Sequence, residues 1–230
     1  NPLLNSIIAF VARGSNTAEN PVSHAVFAEA LKQARLGISP ANPMVAIGTP
    51  KPTSEPIATV PALTAEARRI LRQHFLKAGM GISGGNIAVA ETGSVVLVTN
   101  EGNGRLVTSV PPVHVAVIGL EKVAPTWDEA AVWLSLLARN AAGQPFSIYT
   151  SIITGPARAD DPDGPEEVHI VLLDNGRSQL VGTKYEEVLQ CIRCGACLNV
   201  CPVYREAGGH AYGSAYCGPI GAVVTPLLFG

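Results

Sequence analysis

Four of the five cysteines in this 230-residue chain form one tight run, and that run constrains the fold more than any other feature. Cys191, Cys194, Cys197 and Cys201, followed by Pro202, give the spacing C-x2-C-x2-C-x3-C-P. Cysteines three residues apart on a tight loop can direct three sulfur atoms at one centre. Thiolates are soft ligands that suit iron. We therefore predict that this segment folds around a metal group rather than around disulfides.

The spacing favours an iron–sulfur cluster of the 4Fe–4S type. Bacterial ferredoxin-type runs have this spacing, and their fourth cysteine ligates the other cluster of a two-cluster module. Gly195 would let the backbone wrap closely and offer N–H groups to the sulfides, while Pro202 would help turn the fourth thiolate away. Zinc is the alternative, but zinc sites usually pair two cysteine knuckles that lie a dozen or more residues apart.

The number of cysteines falls short of a two-cluster module. Such a module needs eight cysteine ligands, whereas this chain has five. We take Cys191, Cys194, Cys197 and Cys201 as the candidate cluster ligands. Cys217 is either a further ligand for the first cluster or an unrelated buried thiol. The intact parent protein is expected to hold two clusters, and this chain one or none.

The amino-acid composition excludes some classes of protein. Hydrophobic residues make up 47% of the chain and charged residues 15%, which excludes global disorder. The formal net charge of −2 lacks the basic footprint of a nucleic-acid binder. We find neither a transmembrane run nor a secretory signal, so the expected compartment is the cytoplasm. Both ends look cut, and we expect a fragment or a processed product.

Proline divides the chain into segments. Six prolines lie between Pro40 and Pro61, which predicts an extended connector. We therefore expect a weakly patterned N-terminal segment with this connector over residues 1–61, including one helix over 23–35. An α/β domain is expected over residues 62–183, and an iron–sulfur segment over residues 184–230.

Hydrophobic periodicity predicts the elements of the middle segment. Thr64 is expected to cap an amphipathic helix that runs to Ala78, and the glycine-rich residues 79–86 are interpreted as a helix-to-strand connector. Thr126 opens a capping box for a helix that ends near Asn140. The predicted strands are Ile87–Glu91 and Ser94–Thr99, which form a hairpin, and Val113–Gly119, Ser147–Thr154 and Val168–Leu173. Strands interleaved with helices indicate an α/β layer fold.

Several short motifs carry a resemblance to a known family. They are Ala90-Glu91-Thr92-Gly93, Asn100-Glu101-Gly102-Asn103-Gly104-Arg105, Gly119-Leu120-Glu121-Lys122-Val123, Leu173-Asp174-Asn175-Gly176-Arg177, Cys191 to Tyr204, Gly208 to Gly213, and Gly218 to Ala222. Together they resemble the bacterial lactate-utilisation iron–sulfur proteins, the B subunits of the L-lactate oxidation complex. The resemblance covers about residues 62–230.

The resemblance implies a fold and partners. It implies the distal part of a lactate-utilisation α/β domain with a mixed sheet, similar to isomerases and CoA-transferases, followed by the first half of a ferredoxin-like module. It also implies a second lactate-utilisation subunit and a cysteine-rich subunit similar to heterodisulfide reductase as partners. The leading functional hypothesis is an electron-transfer subunit of a complex that oxidises L-lactate to pyruvate, rather than a stand-alone catalyst.

Two alternatives stay open at this point. One is an enzyme domain of the CoA-transferase or isomerase kind that acts on a small acid or acyl substrate. Glu91 is its weak catalytic candidate, because covalent catalysis by a carboxylate is chemically feasible. The other is a non-catalytic assembly module in which the cysteine segment is stabilised by zinc or by a cluster.

Overall fold

The computed structural model describes residues 7–10 and 60–229 of the chain. The helix predicted over residues 23–35 and most of the connector predicted from Pro40 to Pro61 lie outside these residues. The last two residues of that connector, Val60 and Pro61, are helical instead. The strands are β1 (Ile7–Phe10), β2 (Met80–Gly84), β3 (Ile87–Val89), β4 (Ser94–Thr99), β5 (Val113–Gly119), β6 (Val123–Ala124), β7 (Tyr149–Ile153) and β8 (Glu167–Leu173). The α-helices are α1 (Val60–Lys77), α2 (Asn103–Ser109), α3 (Trp127–Ala142), α4 (Ala196–Val200), α5 (Pro202–Ala207) and α6 (Gly218–Phe229).

The strands form two four-stranded sheets. In the first sheet the order is β1-β8-β5-β2, with β8, β5 and β2 parallel and β1 antiparallel to β8. In the second sheet the order is β6-β3-β4-β7, in which only the β3–β6 pair is parallel. The predicted α/β fold with a mixed sheet is therefore confirmed.

The β3–β4 hairpin is buried on both faces and forms the centre of the core. Ile87, Val89 and Val96 face α3, where they pack with Ala130 and partly buried tryptophans. The alternate residues of the same strands face the first sheet, and they pack with Ala116 and Ile118 of β5. Each fully buried aliphatic side chain contributes about 1.5–3 kcal/mol to the free energy of unfolding. The packing of α3 on the second sheet, and of that sheet on the first, therefore supplies much of the stability.

Local sequence signals account for α3. The Thr126 hydroxyl accepts a hydrogen bond from the Glu129 N–H, and the Glu129 carboxylate accepts one from the Thr126 N–H, which completes the predicted capping box. The helix ends at Gly143, whose φ of 70° is the left-handed conformation that favours glycine. The prediction of this helix is confirmed.

Two local predictions were wrong. Thr64 does not cap α1, because the helix begins at Val60 and the Thr64 hydroxyl donates back to the Val60 carbonyl. Residues 79–86 are not only a connector, since Met80–Gly84 forms strand β2 beside β5. A Cβ atom on Gly81 would overlap the backbone carbonyl of Val107, so glycine lets α2 approach this strand closely.

No helix in residues 60–229 is long and apolar enough to cross a membrane.

Candidate metal centre

The cysteine run lies at the junction between the α/β layers and the short C-terminal helices. Cys191 and Cys194 belong to an irregular loop, Cys197 lies in α4, Cys201 separates α4 from α5, and Cys217 immediately precedes α6. All five thiols are free; Cys201 is buried and the other four are half-buried. Within residues 60–229, no three or more His, Cys, Asp or Glu side chains lie close enough together to hold a metal ion.

The loop backbone nevertheless fits a cluster. Arg193 and Gly195 have φ values of 59° and 78°, so left-handed residues alternate with the cysteines. The N–H groups of residues 192–195 form no hydrogen bond with any other described residue. Successive N–H groups in such a conformation form an anion-binding concavity that recurs at iron–sulfur sites. Soft thiolate donors beside free N–H donors are the chemistry that an iron–sulfur cluster requires.

Cys201 lies in a different environment from the loop cysteines. Its sulfur accepts a hydrogen bond from the Tyr204 N–H at 3.4 Å and lies 4.0 Å from the Tyr212 hydroxyl oxygen. The N–H group of Tyr204 in particular lowers the pKa of the Cys201 thiol, which favours the thiolate that binds metal.

Cys217 lies beside the same tyrosine as Cys201. Burial, followed by the contact with Cys201 and the nearby Cys217, raises the pKa of Tyr212. The Cys217 sulfur also lies against Gly209, where a Cβ atom would be 3.8 Å from it. Cys201 and Cys217 therefore both lie near Tyr212, whereas Cys191 and Cys194 lie on the preceding loop.

A buried polar network ties the loop to the α/β layers. Arg177 donates to the Glu121 carboxylate at 2.5 Å, to the Asp174 carbonyl at 2.9 Å and to the Tyr216 hydroxyl at 2.7 Å. Lys122 donates to the Cys191 carbonyl oxygen, and its nitrogen lies 3.8 Å from Glu121. Burial lowers the pKa of Lys122, and the Glu121 charge opposes this shift.

Arg193 completes the network on the loop side. Its guanidinium lies 4.6 Å from the centre of the Tyr216 ring and donates to the Ala215 carbonyl. The network surrounds a small cavity of about 20 Å³ that Cys191 also lines. Our sequence analysis did not identify these residues as functional. The signal was present, because Glu121, Lys122 and Arg177 belong to two of the motifs that carried the resemblance.

A second polar contact joins the cysteine segment to the C-terminal end of α3. The Asn199 side chain of α4 donates to the Asn140 carbonyl at 2.7 Å and contacts that of Ala141 at 3.3 Å. These carbonyls belong to the last turn of α3, which lacks intrahelical partners. Beside this contact lies a cavity of about 380 Å³, where Arg193 and Cys194 line one side and α3 with the residues around Asn100 lines the other.

Glu91 lies away from the cysteines, at the N-terminal end of α3. Its carboxylate accepts a hydrogen bond from the Trp127 N–H at 3.1 Å, and its own N–H donates to the Pro125 carbonyl. A carboxylate at this position satisfies an unpaired N–H and complements the positive end of the helix dipole. The structure thus gives Glu91 a structural partner and brings none of the candidate cysteines to it.

Two protein-family models match this chain. The LUD domain model matches residues 41–173, and a 4Fe-4S dicluster domain model matches residues 187–228. The chain is 57% identical over 168 residues to Lactate utilization protein B of Shouchella clausii, and 56% identical over 168 residues to the protein of the same name from Bacillus subtilis.

These relatives are longer than the chain. Each alignment covers 73% of this chain and 35% of the relative, so the chain spans about a third of the length of the curated relatives it matches. Among solved structures, a DUF162 family protein from Deinococcus radiodurans matches with a TM-score of 0.32 and 19% identity, over 43% of this chain and 55% of that one. That likeness is too low to support an argument.

Proposed function

The chain belongs to the LUD domain family, and from this premise we propose that it is an iron–sulfur electron-transfer component of a complex that oxidises L-lactate to pyruvate. One observation carries the proposal. The C-x2-C-x2-C-x3-C-P run, which the dicluster domain model covers, has free thiols and begins on a loop where the N–H groups of residues 192–195 have no hydrogen-bond partner among the described residues. The name that the relatives share, Lactate utilization protein B, supports the substrate.

The cysteines divide into two sets in this proposal. Cys191, Cys194 and Cys197 would hold one 4Fe–4S cluster, and Cys201 would contribute to a second cluster, as the spacing predicts. When bound, such a cluster accepts and releases single electrons. The loop binds and orients it through thiolates and N–H groups, and no acid–base residue of this chain is required.

The electron balance of lactate oxidation requires a larger assembly. Oxidation of lactate to pyruvate releases two electrons and two protons, so a component that carries one electron at a time needs partners that oxidise the substrate and accept the electrons. We propose a second lactate-utilisation subunit and a cysteine-rich subunit similar to heterodisulfide reductase as these partners, in the cytoplasm. The proposal leaves the chemistry on lactate to the assembled complex.

Metal analysis tests the proposal directly. After anaerobic purification we expect about four iron and four sulfide per chain for one bound cluster. Cys194→Ser should remove most of the iron, because it removes one of the three cysteines proposed to hold the first cluster. One equivalent of zinc with no iron in the wild-type chain would refute the proposal and favour the zinc-stabilised assembly module.

Two further variants sharpen the assignment. Cys217→Ser decides the role of Cys217: iron loss as large as in Cys194→Ser identifies a ligand, whereas full retention identifies an unrelated thiol. In the assembled complex, Cys194→Ser should abolish lactate oxidation. Full activity of that variant would contradict an electron-transfer role.

A further inference from the structure

Lys122 is an unusual residue for its position. Its side chain is only 7% exposed, and its ammonium group donates to the backbone carbonyl of Cys191, 69 residues further along the chain. Lysine is almost never fully buried without a partner of opposite charge. The partner that would serve this purpose is Glu121, but its nitrogen–oxygen distance to Lys122 is 3.8 Å.

The Glu121 carboxylate already forms an ion pair with another cation, Arg177. Arg177 donates to it at 2.5 Å, and both of these side chains are less than 10% exposed. The cavity beside Cys191 is lined by two buried cations, Lys122 and Arg177, by the exposed Arg193, and by one carboxylate, that of Glu121. The network therefore holds positive charge in excess of what Glu121 neutralises. Uncompensated positive charge in a buried site indicates a negative group nearby.

The thiolate loop supplies the position for such a group. Cys191 is the first cysteine of the run, and the contact with Lys122 is made through its own carbonyl oxygen. A cluster held by thiolates is an anion, and its reduction potential depends on net charge and hydrogen bonding around it. A fixed cation stabilises the reduced form more than the oxidised form, because the reduced form carries one more negative charge.

We infer that Lys122 is a positioning residue for the cluster loop, which fixes the backbone of Cys191 and whose charge raises the reduction potential of the cluster bound there. This inference rests on the proposed function for the cluster itself. It adds a residue from the α/β layers to the determinants of the electron-transfer site. It also gives a function to a lysine at a position where a buried charge is costly.

Four variants of the chain separate charge from positioning. Lys122→Met removes both the charge and the donor. Lys122→Gln removes the charge but keeps an N–H donor, and it serves as the second variant in the redox titration if Lys122→Met does not fold. Lys122→Arg keeps the charge. Lys184→Met is the matched control, because Lys184 is an exposed lysine whose ammonium group lies over the ring of Tyr185.

The first measurement uses the cluster-free chain. The rate at which iodoacetamide alkylates Cys191, relative to Cys217, is followed by peptide mass spectrometry. Loss of one buried hydrogen bond should raise this relative rate about fivefold in Lys122→Met. Lys122→Arg and Lys184→Met should retain the wild-type rate. An unchanged rate in Lys122→Met overturns the positioning role. If Lys122→Met does not fold, Lys122→Leu, which also lacks both the charge and the donor, replaces it in this measurement.

The second measurement is the midpoint potential of the cluster, from a redox titration followed by electron paramagnetic resonance. A unit charge roughly 10 Å away, at an effective dielectric constant of about 20, changes a one-electron equilibrium by about tenfold or more. Tenfold corresponds to about 59 mV. We expect Lys122→Met and Lys122→Gln to shift the potential downward by this amount, and Lys122→Arg and Lys184→Met to keep it.

The outcomes distinguish this inference from the proposed function. A potential equal to wild type in both Lys122→Met and Lys122→Gln overturns the role of the charge, as does a Lys122→Arg potential as low as that of Lys122→Met. If the wild-type chain takes up no iron, the proposed function fails and the role of the charge fails with it. The alkylation measurement on the cluster-free chain then still decides the positioning role.

Discussion

Replacement of Arg177 by methionine should destabilise the chain more than most single substitutions. The guanidinium of Arg177 makes three hydrogen bonds, to Glu121, to the Asp174 carbonyl and to the Tyr216 hydroxyl. Methionine fills a similar volume but offers none of these donors. The Glu121 carboxylate, which is 9% exposed, would lose its closest cation and keep only Lys122 at 3.8 Å.

The magnitude follows from the burial of the pair. Removal of one partner of a buried ion pair costs about 3–5 kcal/mol, because it leaves an uncompensated buried charge. With a urea m-value of about 2 kcal/mol per molar, the midpoint of unfolding should fall by about 2 M. The double variant Glu121→Gln with Arg177→Met should recover part of this loss, since it removes the unpaired charge as well.

Urea denaturation followed by circular dichroism measures these differences. Arg158→Met is the matched control, because the Arg158 residue is exposed and its hydrogen bonds with Asp161 are made by its backbone N–H and carbonyl groups. That variant should stay within about 0.5 kcal/mol of wild type. A loss below about 1 kcal/mol in Arg177→Met, or a double variant that is less stable than the single one, would refute this account of the network.

Three further changes test other parts of the fold. Gly81→Ala should cost about 1–3 kcal/mol or more, because the new Cβ would overlap the backbone carbonyl of Val107; an unchanged melting temperature would contradict this close approach. Thr126→Ala should cost about 1 kcal/mol through loss of the capping box, measurable by urea denaturation, and Thr126→Ser should restore most of it. Burial, followed by the charge of His169, lowers the pKa of His114 below its ordinary value of about 6.5. The unfolded chain therefore binds the proton more readily, so stability should fall as the pH drops below about 6.5, and urea midpoints at pH 7.5 and 5.5 should differ less in His114→Gln.

Elements with local signals could be predicted from the sequence. Helix α3 carries its capping box and its terminal glycine within the helix and its flanks, and its predicted start is confirmed. The β3–β4 hairpin and strand β5 are apolar, β-branched runs, and the structure confirms them. Each of these signals depends only on neighbours along the chain.

Elements that depend on distant contacts could not be predicted. Strand β2 is rich in glycine, which disfavours strands, and it exists because it pairs with β5 and admits α2 closely. Helix α6 contains several weak helix formers, including Pro226, and its buried Val224 contributes the packing that propensity does not supply.

One part of the candidate site could likewise be predicted from the sequence, and the other part could not. The cysteine run is visible because its spacing is itself the signal, whereas the network around it joins residues that are 56 and 69 positions apart. Nothing local indicates that Lys122 contacts the backbone of Cys191. The motifs around Glu121 and Arg177 were noted for their resemblance alone, and the structure gives the physical reason why they occur together.

The network also limits how far the two parts of this protein are modular. A minimal redox module made of residues 184–230 would take the cysteines but leave Glu121, Lys122 and Arg177 behind. The Tyr216 hydroxyl would lose its hydrogen bond from Arg177, and the Asn199 side chain would lose the last turn of α3. A protein engineer who transplants this cysteine segment should therefore transfer these contacts as well. The smallest portable unit includes the segments after β5 and β8 that carry those charges.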